Sequence, residues 1–207
     1  MAKYARRNAP RRWYGWRTQG PCSGVELTIT RRRHREDDDP EMTDLFYDSA
    51  RPDLIPDHAS VLLYRDGDYA ATAEQAKRFA RVRWITVIGG VDIAATAGAI
   101  DYEPGNACYE KPGLLRAYVG ARQAAGHRAR IYADRSNVAR ALEEVAGLRR
   151  CWWISTLDGQ RRSPVELAAD LAHHFEAAVP TGDLWAHQYQ GGLHAPYDVS
   201  ELYGLPW

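Results

Sequence analysis

From Asp44 onward, short runs of apolar, β-branched and aromatic residues alternate with stretches of helical spacing, and this alternation limits the possible folds most. The runs are Leu45–Ser49, Ser60–Tyr64, Trp84–Ile88, Ala99–Glu103, Arg130–Ala133, Cys151–Ser155 and Leu184–Tyr189, with a short eighth at Pro196–Val199. Each is closed by turn residues, as strands are. Between them, Thr72-Ala-Glu-Gln75 is a capping box opening a helix through Ala80. Ser163-Pro-Val-Glu166 is a second, with proline at the first helical position, starting a helix to about Ala178. Pro112–Ala125 presents Leu115, Tyr118, Val119 and Arg122 on one face and is closed by Gly126; Ser136–Val145 is stopped by Gly147. Strands alternating with helices call for parallel pairing and an α/β architecture. Seven or eight mostly parallel strands in so short a chain favour a small, partly irregular β/α barrel of the TIM type over an open sheet.

In such a barrel the carboxyl ends of the strands assemble the site. Polar residues gather there: Asp48, Arg65, Asp101, Glu103, Asp134, Ser155, Asp158, Gln188 and Asp198. The stretch Ala99-Ile-Asp101-Tyr-Glu103-Pro-Gly105 stands out. On a strand, Asp101 and Glu103 point to the same side, their Cα atoms roughly 6.6 Å apart. Two acids held so close cannot both ionise freely, so one pKa rises. Glycoside hydrolysis needs such a pair: one carboxylic acid to protonate a leaving oxygen, one carboxylate to manage the developing cation. Spacing alone also fits a strand end with two solvated acids.

Other chemistries find little support. The seven histidines form no H-E-x-x-H or His-x-His pair, and His173 and His174 face different directions on a helix, so no metal is expected. There is no G-x-S-x-G elbow, no G-x-G-x-x-G and no P-loop. No cofactor is expected. Cys22, Cys108 and Cys151 are too few and too scattered for a disulfide framework or a zinc knuckle. The formal net charge of zero gives no reason to expect nucleic acid as a partner. No 18-residue apolar run marks a membrane span, and the basic N-terminus lacks the apolar core of a signal peptide. The 7 Trp and 12 Tyr against 3 Phe favour rings that can both stack and hydrogen-bond. Nothing in the sequence bears on oligomeric state.

The order Tyr47-Asp48-Ser49, Asp101-x-Glu103-x-Gly105, Ile131-Tyr132, Trp153-Ile154-Ser155, His187-Gln188-Tyr189 and Tyr197-Asp198-Val199-Ser200 resembles the family 25 glycoside hydrolases, lysozyme-like muramidases common in bacteriophage endolysins. It resembles still more the glycoside-hydrolase-like domains of actinobacteria and their phages, through Tyr64-Arg-Asp-Gly67 and Trp153-Ile-x-x-Leu-Asp-Gly159. The resemblance implies a β/α barrel whose acidic groove cuts the β-1,4 bond between N-acetylmuramic acid and N-acetylglucosamine of the peptidoglycan glycan strand. By its motifs, Glu103 falls on the proton donor, Asp101 on the assisting acid, and Asp48 and Asp198 on the first- and last-strand acids of the pocket. Tyr64, Tyr132, Trp153, Gln188 and Tyr189 fall on sugar-contacting strand ends. The stretch between Asp48 and Asp101 is shorter than in typical muramidases. A non-catalytic wall-binding or virion structural module on the same fold is the alternative the resemblance allows. Made in the cytoplasm without a signal peptide, such a protein would act on the wall after release or as part of a virion.

Residues 1–41 differ from the rest of the chain. Arg6-Arg7, Arg11-Arg12 and Arg31-Arg32-Arg33 give way to Glu36-Asp37-Asp38-Asp39 with no sustained period. A basic, disordered extension is expected there. Met42 directly precedes the first convincing strand, which makes it an alternative start for the barrel domain at 42–207.

Overall fold

The computed structural model describes residues 45–191 and 195–203; the expectations for residues 1–41 lie outside them. Eight strands close into one barrel in sequence order. They are β1 (Leu45–Asp48), β2 (Ser60–Tyr64), β3 (Arg81–Thr86), β4 (Ala99–Asp101), β5 (Ala129–Asp134), β6 (Arg150–Ser155), β7 (Leu184–Gln190) and β8 (Asp198–Leu202). Strands β1 to β7 pair in parallel, while β8 pairs antiparallel with both β7 and β1. The α/β barrel read from the alternation is therefore the fold, with a reversed strand at its seam.

Six α-helices connect the strands: α1 (Ala73–Ala76), α2 (Val91–Ala94), α3 (Ala107–Glu110), α4 (Leu114–Ala124), α5 (Val138–Glu144) and α6 (Pro164–His174). Both capping boxes form, with Thr72 and Ser163 accepting from the N–H of Gln75 and Glu166 while those side chains reach back. α1 lasts only four residues, and α6 stops short of Ala178 because Glu176 turns left-handed at φ 53°. That conformation breaks the helical ladder.

Strand β3 ends at Thr86, two residues before the expected Ile88. The Asp66 carboxylate takes both the Thr86 hydroxyl (2.6 Å) and the Val87 N–H (2.8 Å), and the Thr86 hydroxyl oxygen then accepts from Ile88 N–H at 3.1 Å. A side-chain network has replaced the strand ladder there.

Every strand contributes to the barrel interior: Phe46, Leu62, Ile85, Ala99, Tyr132, Cys151, Trp153, Trp185, Ala186 and Leu202. Rings dominate that filling. Trp153 lies 5.1 Å from Phe46, 4.5 Å from Tyr132 and 6.3 Å from Trp185, centroid to centroid. Bulky rings packed on one another leave a filled core with no channel through it. A second apolar layer, from Ile100, Tyr102, Ile131, Trp152 and Ile154 to Leu115, Tyr118, Leu167 and Leu171, fixes the helices onto the barrel.

Candidate active site

The parallel strands β1 to β7 point their carboxyl ends at one rim, and the reversal of β8 brings its first residue to that same rim. Asp198 thus opens β8 instead of closing a strand, and it stands directly opposite Asp48 across the β1–β8 pair. Asp101 closes β4, and Glu103 lies two residues past the strand. The expected five-residue strand ends early, yet the alternation persists. Tyr102 donates its backbone N–H to Tyr132 O at 2.9 Å. Its side chain turns outward into the helix layer, where the hydroxyl donates to Glu144 Oε2 at 3.1 Å. Its neighbours are left on the opposite, inner side.

Asp48, Asp101 and Glu103 sit on the aromatic filling, and burial is the largest influence on each. Asp48 is 5% exposed and Asp101 3%. Burial followed by the charges of Asp198, Asp101 and Glu103 holds the Asp48 carboxyl well above the usual range. Burial and Glu103 push Asp101 up to about 8, against the pull of a hydrogen bond from Tyr64. Glu103, half-buried, is raised by burial and by Asp134 and Asp198, while the Tyr132 hydroxyl opposes this. The four acids expected from the sequence therefore feel one another at one rim, with Asp134 as a fifth.

Polar partners hold these carboxyls in place. The Tyr64 hydroxyl donates to Asp101 Oδ2 at 3.1 Å. Gln188, fully buried, accepts from the Tyr132 hydroxyl at 2.6 Å and donates to Asp48 Oδ2 at 3.2 Å. That fixes its amide orientation, since Tyr132 takes the acceptor end and Asp48 the donor end. Asn106 Nδ2 (3.3 Å) and the Cys108 thiol (2.9 Å) both donate to the Asp101 carbonyl and anchor the turn after β4.

A cavity of about 370 Å³ opens between the β2, β3 and β4 loops, lined by Tyr64, Tyr69, Asp101, Glu103 and Asn106 among others. Tyr69 is 55% exposed and tilted against Tyr64 at 5.8 Å. Sequence reasoning passed over its ring, although it stands directly after the Asp66-Gly-Asp turn. Arg65, at the same rim, points to solvent.

Two expected sugar-contacting rings are placed elsewhere. Trp153 is 1% exposed within the barrel, its indole N–H donating to Ser200 Oγ at 2.9 Å. Tyr189 accepts from Arg161 Nη2 at 3.2 Å and lies 6.0 Å from the His187 ring, on the face of β7 away from Gln188. Adjacent strand residues point to opposite faces, so Gln188 and Tyr189 cannot both enter the barrel mouth. Tyr132, 8% exposed, reaches the acids only through its hydroxyl.

No protein-family model matches the sequence, and no curated protein does. Matching solved structures include two. One is an uncharacterized B. stearothermophilus protein, 16% identical, with a TM-score of 0.47 over 77% of this chain and 96% of that one. The other is the catalytic domain of endolysin ply40 from bacteriophage P40 of Listeria monocytogenes, 11% identical, with a TM-score of 0.47 over 79% of this chain and 95% of that one.

Among the described residues, no group of three or more His, Cys, Asp or Glu side chains is arranged to hold a metal ion. No described helix is long and apolar enough to cross a membrane. What the rim can do chemically is keep the Asp101 carboxyl protonated at neutral pH, beside Glu103 and a cavity of about 370 Å³.

Proposed function

We propose that this barrel is a peptidoglycan glycoside hydrolase cleaving the β-1,4 bond between N-acetylmuramic acid and N-acetylglucosamine. One observation carries the reading: two neighbouring carboxyls, both raised by burial and one by the other, open onto a cavity with an exposed tyrosine. A pair sharing one proton provides an acid and a carboxylate together, the two forms that glycosidic cleavage consumes. Glu103 is the more accessible member and protonates the leaving oxygen. Asp101, held by Tyr64, is the assisting carboxyl, and it steadies the oxocarbenium-like centre or the sugar's N-acetyl group in the microstate whose single proton sits on Glu103. Asp48 and Asp198 meet at the same rim across the β1–β8 pair, and Asp198 helps to keep the proton on Glu103.

The reading also suits the shape. The cavity opens toward the β2–β4 loops, whereas the rim over β5, β6 and α6 is closed by ion pairs. Arg135 meets Asp158 at 3.5 Å and Asp170 at 3.8 Å, and Arg162 meets Asp158 at 2.8 Å. A glycan strand would enter on the open side and place its bond between Glu103 and Asp101.

The decisive experiment incubates the purified chain with actinobacterial peptidoglycan and measures new reducing ends. Release by the wild type, reduced at least about a hundredfold in Glu103→Gln, is the expected result, in line with loss of a general acid. A wild-type protein that sediments with the wall but releases nothing overturns the enzyme reading and leaves a wall-binding module.

A further inference from the structure

At the opposite end of the barrel the chain repeats one small device. Helix α4 ends in Gly126-His127-Arg128 before β5, and α5 is followed by Gly147-Leu148-Arg149-Arg150 into β6. Both glycines sit at φ +79°, so the two turns leave their helices alike. Ala129 pairs with Arg150 in the sheet, which sets Arg128 beside Arg149 one step earlier, at a strand spacing of roughly 4.8 Å. Two guanidiniums are thus mounted side by side on the rim away from the acids. Two cavities, of about 90 and 280 Å³, adjoin them, and both are lined by Arg128 and Arg149. Arg150 and a single acid, Asp183, line the larger, and His127 the smaller.

No ion pair among the described residues offsets the charges here. Arg135, Arg161 and Arg162 near the mouth are all ion-paired. Among the described residues, neither Arg128, Arg149 nor Arg150 makes an ion pair; Arg150 donates one N–H to Leu148 O at 2.9 Å and lies over the Trp152 ring, while its buried Nε has no hydrogen-bond partner. Arg128 spends one N–H on the Cys151 sulfur at 3.8 Å, a weak acceptor. Paired guanidinium forks match the oxygens of phosphate better than a lone ammonium could. Two cavities sharing the same forks suit a ligand that presents one anionic group after another.

We infer that the Arg128–Arg149–Arg150 rim binds the phosphodiester backbone of an anionic cell-wall polymer, at the end of the barrel opposite the acids. The choice of a wall polymer over nucleic acid rests on the peptidoglycan reading; the anion site itself does not. It would hold the domain to the wall while the acidic mouth, which repels polyanions, stays open to the uncharged glycosidic bond.

The test measures binding of poly(glycerol phosphate) to the full chain at low and high salt, without turnover. Three proteins are compared: wild type, Arg128→Gln/Arg149→Gln, and a charge-matched control, Arg51→Gln/Lys77→Gln. The rim variant should bind about tenfold or more weakly, with a shallower salt dependence, and the control should bind as the wild type does. Thermal melts and cleavage of a soluble, uncharged chito-oligosaccharide should match across all three. Equal binding by rim variant and wild type overturns the proposal, as does an equal loss in the control. Tighter binding of a single-stranded oligodeoxynucleotide than of poly(glycerol phosphate) overturns the wall polymer as the partner. Because binding is read without catalysis, an inactive protein that still loses polymer through the rim substitutions would sink the hydrolase reading alone.

Discussion

Asp48 and Asp198 face each other as direct partners across the antiparallel β1–β8 pair, at the seam where the barrel closes. Like charges directly opposite destabilise a sheet, and burial adds to the cost at Asp48. The folded-state pKa of Asp48 is raised, so its proton supports the fold at acid pH, and that support is lost as pH rises from about 4 through the folded value. Asp48→Asn should therefore raise the melting temperature at pH 7 by about 3 °C or more, on the order of 1 kcal/mol, while glycan cleavage falls. A variant that melts lower, or keeps full activity, would contradict this.

Under the proposed glycan cleavage, Asp101 sets the expected pH dependence. With its carboxyl raised to about 8 by burial and Glu103, the shared proton persists through neutrality and leaves above pH 8. Activity should fall on the alkaline side of that value. Tyr64 donates to the ionised form, so Tyr64→Phe should move the alkaline limb upward by a measurable fraction of a unit or more. A rate profile centred near pH 4 would contradict the assignment.

His187 works in the opposite sense. Burial lowers it to about 4, so the folded state excludes its proton and stability rises with pH between about 4 and 6.5. His187→Gln keeps a partner for Thr156, which lies 2.9 Å from Nε2, and should flatten that acid-side rise in a series of thermal melts. An unchanged slope would show that other groups set it.

Gly191 makes room for Asp198. A Cβ at this glycine, which lies at φ +152°, would overlap the Asp198 carboxylate. Gly191→Ala should swing that carboxyl away from the rim and lower kcat about tenfold or more, with a melting temperature within a few degrees of the wild type. A large stability loss with unchanged kcat in the folded fraction would assign the glycine to the backbone turn instead.

Trp153 separates packing from sugar contact. Trp153→Ala should cost on the order of 3–5 kcal/mol as a cavity opens among Phe46, Tyr132 and Trp185. Trp153→Phe should lose the Ser200 hydrogen bond, worth ~1 kcal/mol, and keep its affinity for glycan. A selective rise in KM for Trp153→Phe would return the ring to the substrate.

The architecture was legible because each strand carries β propensity and each main helix a capping signal, as at Thr72 and Ser163. That Asp101 and Glu103 share one side of the chain was legible from alternation. The direction of β8 was not, because a five-residue strand reads the same in either orientation; only pairing with β7 and β1 decides it. Neither was the choice between Gln188 and Tyr189, since alternation selects a parity but not which parity faces inward. Tyr69 stands on a turn, where no periodicity singles out a side chain.

The closure of the barrel has a kinetic consequence. Asp48 belongs to the first strand of the domain and Asp198 to the last, so the two acids meet only after the intervening strands and helices are in place. Pairings of such long sequence separation are entropically costly and tend to form late in folding. A chain still folding would have Asp101 and Glu103 near each other by local sequence but would lack the opposing wall of the site. The proposed hydrolytic competence should therefore return in refolding with the slowest structural phase, after helical signal has recovered, so that this seam withholds the four-acid rim until the fold is complete.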